Sequence, residues 1–181
     1  MALLCTVQAV VCSVFCRKME RNVRQRPLKV LLLGHSYIWR LERFMQKRHI
    51  YRNLGFSDNL VTVSCCGVSG GGLYDAAVGY TFQQFISHAH EEMPDVIFLH
   101  LGENDVRRYC TSLQVVHSLE ALVGELLNYA SIVIVGQLLP FPAMHHQRHV
   151  IVGINSLLEA SLNRMHFATY WKHRGGFWRQ P

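Results

Sequence analysis

Apolar positions in this chain alternate between two textures. Short, nearly continuous hydrophobic runs occur at residues 29–33 (KVLLL), 60–64 (LVTVS), 95–101 (DVIFLHL), 131–136 (SIVIVG) and 166–171 (HFATYW). Runs of that length predict β-strands. The first, third and fourth are apolar almost throughout, as parallel strands covered on both faces are. Between the runs, apolar residues recur at intervals of three and four. Residues 37–47 put Ile38, Leu41, Phe44 and Met45 on one stripe, and residues 112–129 do the same with Val115, Val116, Leu119, Leu122, Val123 and Leu126. Residues 146–165 repeat it with Val150, Ile154, Leu157, Leu158, Ser161 and Leu162. Such stripes predict amphipathic helices. Strand and crossover helix alternating from Leu28 onward predict an α/β domain on a parallel sheet.

Composition adds a size. A chain of 181 residues, 50% of them hydrophobic, buries one substantial core and leaves little for a second. Residues 28–181 are therefore expected to form a single domain, preceded by an extension at residues 1–27 that is apolar over residues 2–16 and basic over residues 17–26. The apolar run is short for a membrane span and lacks the basic residues that precede a signal peptide's core. It fits an anchor, an atypical signal or an amphipathic extension, and membrane contact is expected through residues 2–16 or not at all. The remainder is expected to be soluble, with the cytoplasm favoured as its compartment.

Charge and cysteine content remove some classes of function. Lys and Arg number 18 against 12 acidic residues, a formal charge of +6, but the basic residues are dispersed outside residues 17–26. Nucleic-acid binding needs them gathered on one face, so nucleic acid is not an expected partner. The six cysteines include no CxxC pair, which argues against a thiolate metal site and leaves free thiols as the expectation. His145 and His149 share a helical face, yet no carboxylate lies between Glu125 and Glu159 to complete an HExxH zinc motif.

Ligands of open parallel sheets bind beyond the carboxyl ends of the strands. The first three predicted strands end in Gly34-His35-Ser36, in "CCGVSGGGL" (residues 65–73) and in "GENDV" (residues 102–106). The first loop lacks GxGxxG and the second lacks the GK[ST] of a phosphate loop, so neither a dinucleotide nor a nucleoside triphosphate fits. Acyl transfer fits better, because it needs an exposed nucleophile and several donors converging on an oxyanion. Ser36 offers Oγ and its own N–H, Gly70 a second N–H with no Cβ in the way, and Asn104 a carboxamide. Each residue also has a plain structural use: Ser36 as a helix N-cap, Gly70 as a turn glycine, and Asn104 with Asp105 as an Asx turn.

At these residues the chain resembles the SGNH hydrolases, also called GDSL-type esterases and lipases, over roughly residues 29–171. The family's GDS block is similar to Gly34-His35-Ser36, its second-block glycine to Gly70, and its GxND block to Gly102-Glu103-Asn104-Asp105. The resemblance implies a flavodoxin-like three-layer α/β/α sandwich on a parallel five-stranded sheet. It also implies Ser36 as nucleophile, with Gly70 and Asn104 completing the oxyanion hole. The implied reaction is hydrolysis of a small carboxylic or acetyl ester through an acyl-serine intermediate, with no cofactor and no metal.

Two positions depart from the family's pattern. His35 stands where the family has aspartate, which changes local charge without removing a triad member. No aspartate follows Asp105, so none of His117, His145, His146, His149, His166 and His173 has an Asp three residues before it. The family's DxxH pair, general base and orienting acid, is therefore not present, and loss of such a base lowers turnover on the order of a millionfold. The sequence is expected to be C-terminally incomplete, without the closing helix, and its activity impaired. His173 is the nearest substitute base, expected in a solvated tail. The alternative reading is a non-catalytic binding or interaction module, retroelement-related in one version, that keeps the fold without the base.

Overall fold

The computed structural model describes residue 5 and residues 7–13, 26–73, 80–108, 110–139 and 147–173. Five strands, β1 (Leu28–Gly34), β2 (Val61–Gly67), β3 (Val96–His100), β4 (Ile132–Gly136) and β5 (Ala168–Trp171), form one sheet in the order β2-β1-β3-β4-β5. Every pairing is parallel. The helices are α1 (Ser36–Lys47), α2 (Tyr80–Glu92), α3 (Glu103–Arg107), α4 (Ser112–Leu126) and α5 (Arg148–Leu162), with a 3-10 segment at His49–Gly55.

Alternation along the strands divides the core into two layers. Leu31, Leu33, Ile97, Leu99, Val133 and Val135 point to one face, where they meet Phe85 of α2, the apolar stripe of α4, and Ile151, Ile154, Leu158 and Leu162 of α5. Val30, Leu32, Phe98 and Ile134 point to the other, against Ile38, Leu41 and Met45 of α1. Helices on both faces of a parallel sheet make the expected three-layer α/β/α sandwich. Residues 7–13 are helical, and their Val7, Val10 and Val11 are buried in the α1-side layer. No helix among the described residues is long and apolar enough to cross a membrane.

Differences from the sequence reading have local causes. α2 has no predicted counterpart, because only Thr81, Phe85 and Ala89 of it are buried, a stripe too narrow to stand out. β5 starts at Ala168 rather than 166, since Phe167 takes a left-handed turn at φ 67°. Leu157, assigned to the buried stripe of α5, is exposed, while Asn155 is buried instead. Residues 103–107 form a short helix rather than an Asx turn. The five described cysteines are free, His149 is exposed, and His145 lies outside the described residues.

Candidate active site

The register of the sheet brings three strand ends level. Gly34 at the end of β1 pairs with Gly67 of β2 on one side and His100 of β3 on the other. The chain segments leaving them are tied at their roots: the His35 N–H donates to the His100 carbonyl (3.3 Å), and the Val68 N–H donates to the Gly34 carbonyl (2.9 Å). The loops that carry Ser36, Gly70 and Asn104 thus depart from one rim of the sheet.

Ser36 is the first residue of α1 and half-buried. The residue capping that helix is His35, whose side chain makes no capping bond, so Ser36 does not serve as the N-cap. Its Oγ lies 3.3 Å from His35 Nδ1. Gly70 sits in the turn after β2 at φ 73°, a left-handed conformation that favours glycine, and a Cβ there would meet nothing within 4 Å. Backbone conformation, more than space, accounts for that glycine. Asn104 is buried in α3, and its Nδ2 donates to the Gly71 carbonyl (2.7 Å). Arg108 Nη2 donates to the Gly70 carbonyl (3.0 Å), and the Leu73 N–H donates to Asp105 Oδ1 (2.7 Å). Three hydrogen bonds therefore fasten the second loop to the segment that bears Asn104. One Nδ2 hydrogen of Asn104 is used at Gly71, and an amide has a second.

The centre of this rim is a buried polar cluster that the sequence reading does not anticipate. His35, His100 and Glu103 are each 0% exposed. Gly102, at φ 126°, turns the chain from β3 into α3, and the Glu103 carboxylate then bridges two loops. Oε2 accepts from His35 Nε2 (2.8 Å) and Oε1 accepts from the Leu139 N–H (2.9 Å). Leu139 is held in place from α5, where the Asn155 side chain pairs with both the N–H and the carbonyl of Leu138 at 2.9 and 3.0 Å.

Burial by itself would raise the Glu103 carboxyl. The rings of His100 and His35 and the hydrogen bonds from His35 and the Leu139 N–H outweigh it and hold the group well below the usual carboxylate range. Burial has the opposite effect on His100, whose pKa is pushed down to about 4, so that ring is neutral at pH 7. Tyr37 packs edge-on to His100, with ring centroids 5.5 Å apart, and its hydroxyl is raised by burial and by the charge of Glu103.

His173 departs from expectation. It is not in a solvated tail but buried, its Nε2 donating to the Gln137 carbonyl (3.1 Å) and its ring centroid 5.9 Å from that of His100. Desolvation lowers its pKa. Among the described residues, His35, His100 and Glu103 are the one His/Cys/Asp/Glu group whose ligand atoms lie within 4.8 Å of one another. Two of the three are already hydrogen-bonded together, which makes the group a closed cluster more than an open chelate. A cleft of about 510 Å³ between α1, the 3-10 segment and β2 is lined by Glu42, His49, Asn53 and Cys65 among others, and by none of Ser36, Gly70 and Asn104.

The signal for the cluster was present in isolated letters. His100 interrupts an apolar strand, and His35 and Glu103 flank the glycines that end β1 and β3. An ionisable residue inside a buried run needs a partner, but the partner is named only once the strands are paired.

Neither a family model nor a curated protein matches the sequence. Solved structures do. An esterase, EstA from Pseudoalteromonas sp., solved inhibited by monoethylphosphonate, superposes with a TM-score of 0.56 at 15% identity, over 80% of this chain and 76% of that one. AlinE4, an SGNH-hydrolase family esterase, gives 0.54 at 16% identity over 82% and 77%. A GDSL-like lipase from Bacteroides thetaiotaomicron gives 0.55 at 16% identity over 87% and 77%. The chain has the SGNH-hydrolase α/β fold. In this SGNH fold the Gly34-His35-Ser36, Gly70 and Gly102–Asp105 segments lie beyond the carboxyl ends of β1, β2 and β3.

Proposed function

We propose that this SGNH-fold domain transfers the acyl group of a small carboxylic or acetyl ester to Ser36. The Oγ–H bond breaks as the oxygen attacks the ester carbon, and the N–H groups of Ser36 and Gly70 with the second Nδ2 hydrogen of Asn104 receive the oxyanion. The ester C–O bond then breaks, the alcohol leaving with the displaced proton as the acyl-serine forms. The observation that carries this reading is the Asn104 Nδ2 bond to the Gly71 carbonyl. It fixes a carboxamide beside Gly70, on the rim from which the Ser36 turn departs. The positive end of α1, where Ser36 is the first helical residue, favours a developing negative charge there. The structural neighbours named above are esterases and a lipase, which supports an ester as the substrate class. The domain needs no cofactor for this chemistry, since the charge is carried by donors built into the chain.

The test is covalent. Incubation with an organophosphonate probe, followed by proteolysis and mass mapping, is expected to place the adduct on the peptide containing Ser36 and to leave the Ser36→Ala chain unmodified. Equal modification of both chains removes Ser36 from the site and leaves the fold as an interaction module.

A further inference from the structure

The buried cluster beside Ser36 sets a nucleophile, an imidazole and a carboxylate in one line. We propose that His35 is the general base of this chain, taking the proton of the Ser36 hydroxyl at Nδ1 while Glu103 holds Nε2–H. The inference rests on Ser36 being the nucleophile, and it deepens that reading by naming the group that activates it.

Geometry carries the proposal. Ser36 Oγ is 3.3 Å from His35 Nδ1, and His35 Nε2 is 2.8 Å from Glu103 Oε2. A nucleophile, an imidazole and a carboxylate in series is the arrangement in which the base is within hydrogen-bond reach and is itself oriented by a third group. The tautomer follows from Glu103. Its carboxylate is a pure acceptor, with Oε1 already engaged by the Leu139 N–H, so the hydrogen of the neutral imidazole belongs on Nε2. That leaves the Nδ1 lone pair facing the serine. His35 touches the reacting oxygen and is the catalytic residue; Glu103 acts through it and is a positioning residue.

Glu103, His100 and Tyr37 face the His35 imidazole. Glu103 is ionised and in contact. His100, ring centroid 5.4 Å away, is kept neutral by burial, and Tyr37, at 5.0 Å, is an uncharged phenol. His173, behind His100, is also shifted toward its neutral form. An imidazolium at residue 35 is in contact with the Glu103 carboxylate at 2.8 Å.

The step balances without a further reactant. With a fluorophosphonate, the Oγ–H bond breaks, its proton passes to Nδ1, Oγ bonds to phosphorus, and the P–F bond breaks with its electron pair to release fluoride. The proton held by His35 then returns to solvent. Because the imidazole is fully buried, a leaving group or a water molecule has poorer access to Nδ1 than Ser36 has. The arrangement therefore favours esters whose leaving group departs as a stable anion, and slow hydrolysis of the acyl-serine.

The experiment measures the second-order rate of fluorophosphonate labelling of the full chain from pH 5 to 9, for the parent, Ser36→Ala, His35→Gln, Glu103→Gln and Glu103→Asp. The parent is expected to label at Ser36 with a rate that falls toward acid pH. His35→Gln, with its sheet confirmed by circular dichroism, is expected to label about 100-fold or more slowly and to lose the acid inflection, the usual contribution of a positioned base being about 10²–10⁴. Glu103→Gln is expected to slow labelling and shift the inflection, with partial recovery in Glu103→Asp. A folded His35→Gln chain that labels at the parent rate with the parent pH profile overturns the proposal while leaving Ser36 as nucleophile. Equal labelling of the parent and Ser36→Ala, or no labelling of the parent, overturns the Ser36 reading itself. A measurement on the parent alone guards against a misfolded variant: ¹⁵N-detected histidine tautomers should show His35 as Nε2–H, and an Nδ1–H tautomer overturns the proposal.

Discussion

His35 and Glu103, 68 positions apart, share a 2.8 Å hydrogen bond with both side chains sealed from solvent. The bond joins the turn after β1 to the start of α3, and through the Leu139 N–H it reaches the loop after β4. One carboxylate thus holds three loops of the rim together.

Removing that carboxylate is expected to be costly. Glu103→Leu strands the His35 Nε2–H and the Leu139 N–H in a dry interior, and breaking a buried pair from one side costs about 3–5 kcal/mol. Urea unfolding followed by circular dichroism reads this directly. A change in midpoint equivalent to less than about 1 kcal/mol means that the bond is not sealed as described.

Acid should weaken the fold, and the sign follows from both groups. His100 has a folded-state pKa of about 4 against an ordinary 6.5, so the unfolded chain takes up its proton first. The stability from keeping this ring neutral is complete above pH 6.5 and is lost as pH falls toward 4, up to about 3 kcal/mol. Glu103 is depressed from its ordinary 4.5, and its contribution is present above that value and lost below it. Urea midpoints at pH 7.5, 6, 5 and 4 are expected to decline steadily, with His100→Leu flattening the part of the decline above pH 4. A midpoint that rises on acidification contradicts the burial of this cluster.

Asn104 has a structural and a proposed chemical use, and they separate by magnitude. Asn104→Ala leaves the buried Gly71 carbonyl without its donor, a cost of about 1–3 kcal/mol. Loss of an oxyanion donor lowers an acylation rate by about 10²–10³. Labelling rates measured well below the unfolding midpoint are expected to show the larger effect. A rate within a few-fold of the parent assigns Asn104 to structure alone.

The strands were legible because a buried parallel strand needs an unbroken apolar run, and KVLLL, DVIFLHL and SIVIVG are such runs. α1, α4 and α5 were legible because each covers the sheet with a full stripe. α2 was not, since Phe85 and Ala89 carry most of its burial. Ser36, Gly70 and Asn104 could be singled out from the strand-end loops, but the roles of their neighbours could not. His35 read as a replaced aspartate and Glu103 as the variable letter of GxND. Their pairing depends on β1 lying beside β3, a contact between distant parts of the chain that no local period encodes. His173 was misjudged for a similar reason: it is hydrogen-bonded to Gln137, 36 residues earlier.

The N-terminal residues offer an independent check on packing. Val10 is buried in the α1-side layer while its neighbour Ala9 is exposed. Val10→Asp places an unpaired charge in an apolar layer and is expected to lower stability by several kcal/mol, whereas Ala9→Asp should stay within about 0.5 kcal/mol of the parent. Thermal melts of the two variants decide it. Equal melting temperatures would detach residues 7–13 from the core.

The most direct measurement of the proposed site is a crystal structure of the phosphonylated chain. The phosphorus should be bonded to Ser36 Oγ, with its non-ester oxygen about 2.7–3.1 Å from the Ser36 N–H, the Gly70 N–H and Asn104 Nδ2. A phosphoryl oxygen turned to solvent, or an adduct on any other side chain, contradicts the convergence of these three loops on one oxyanion.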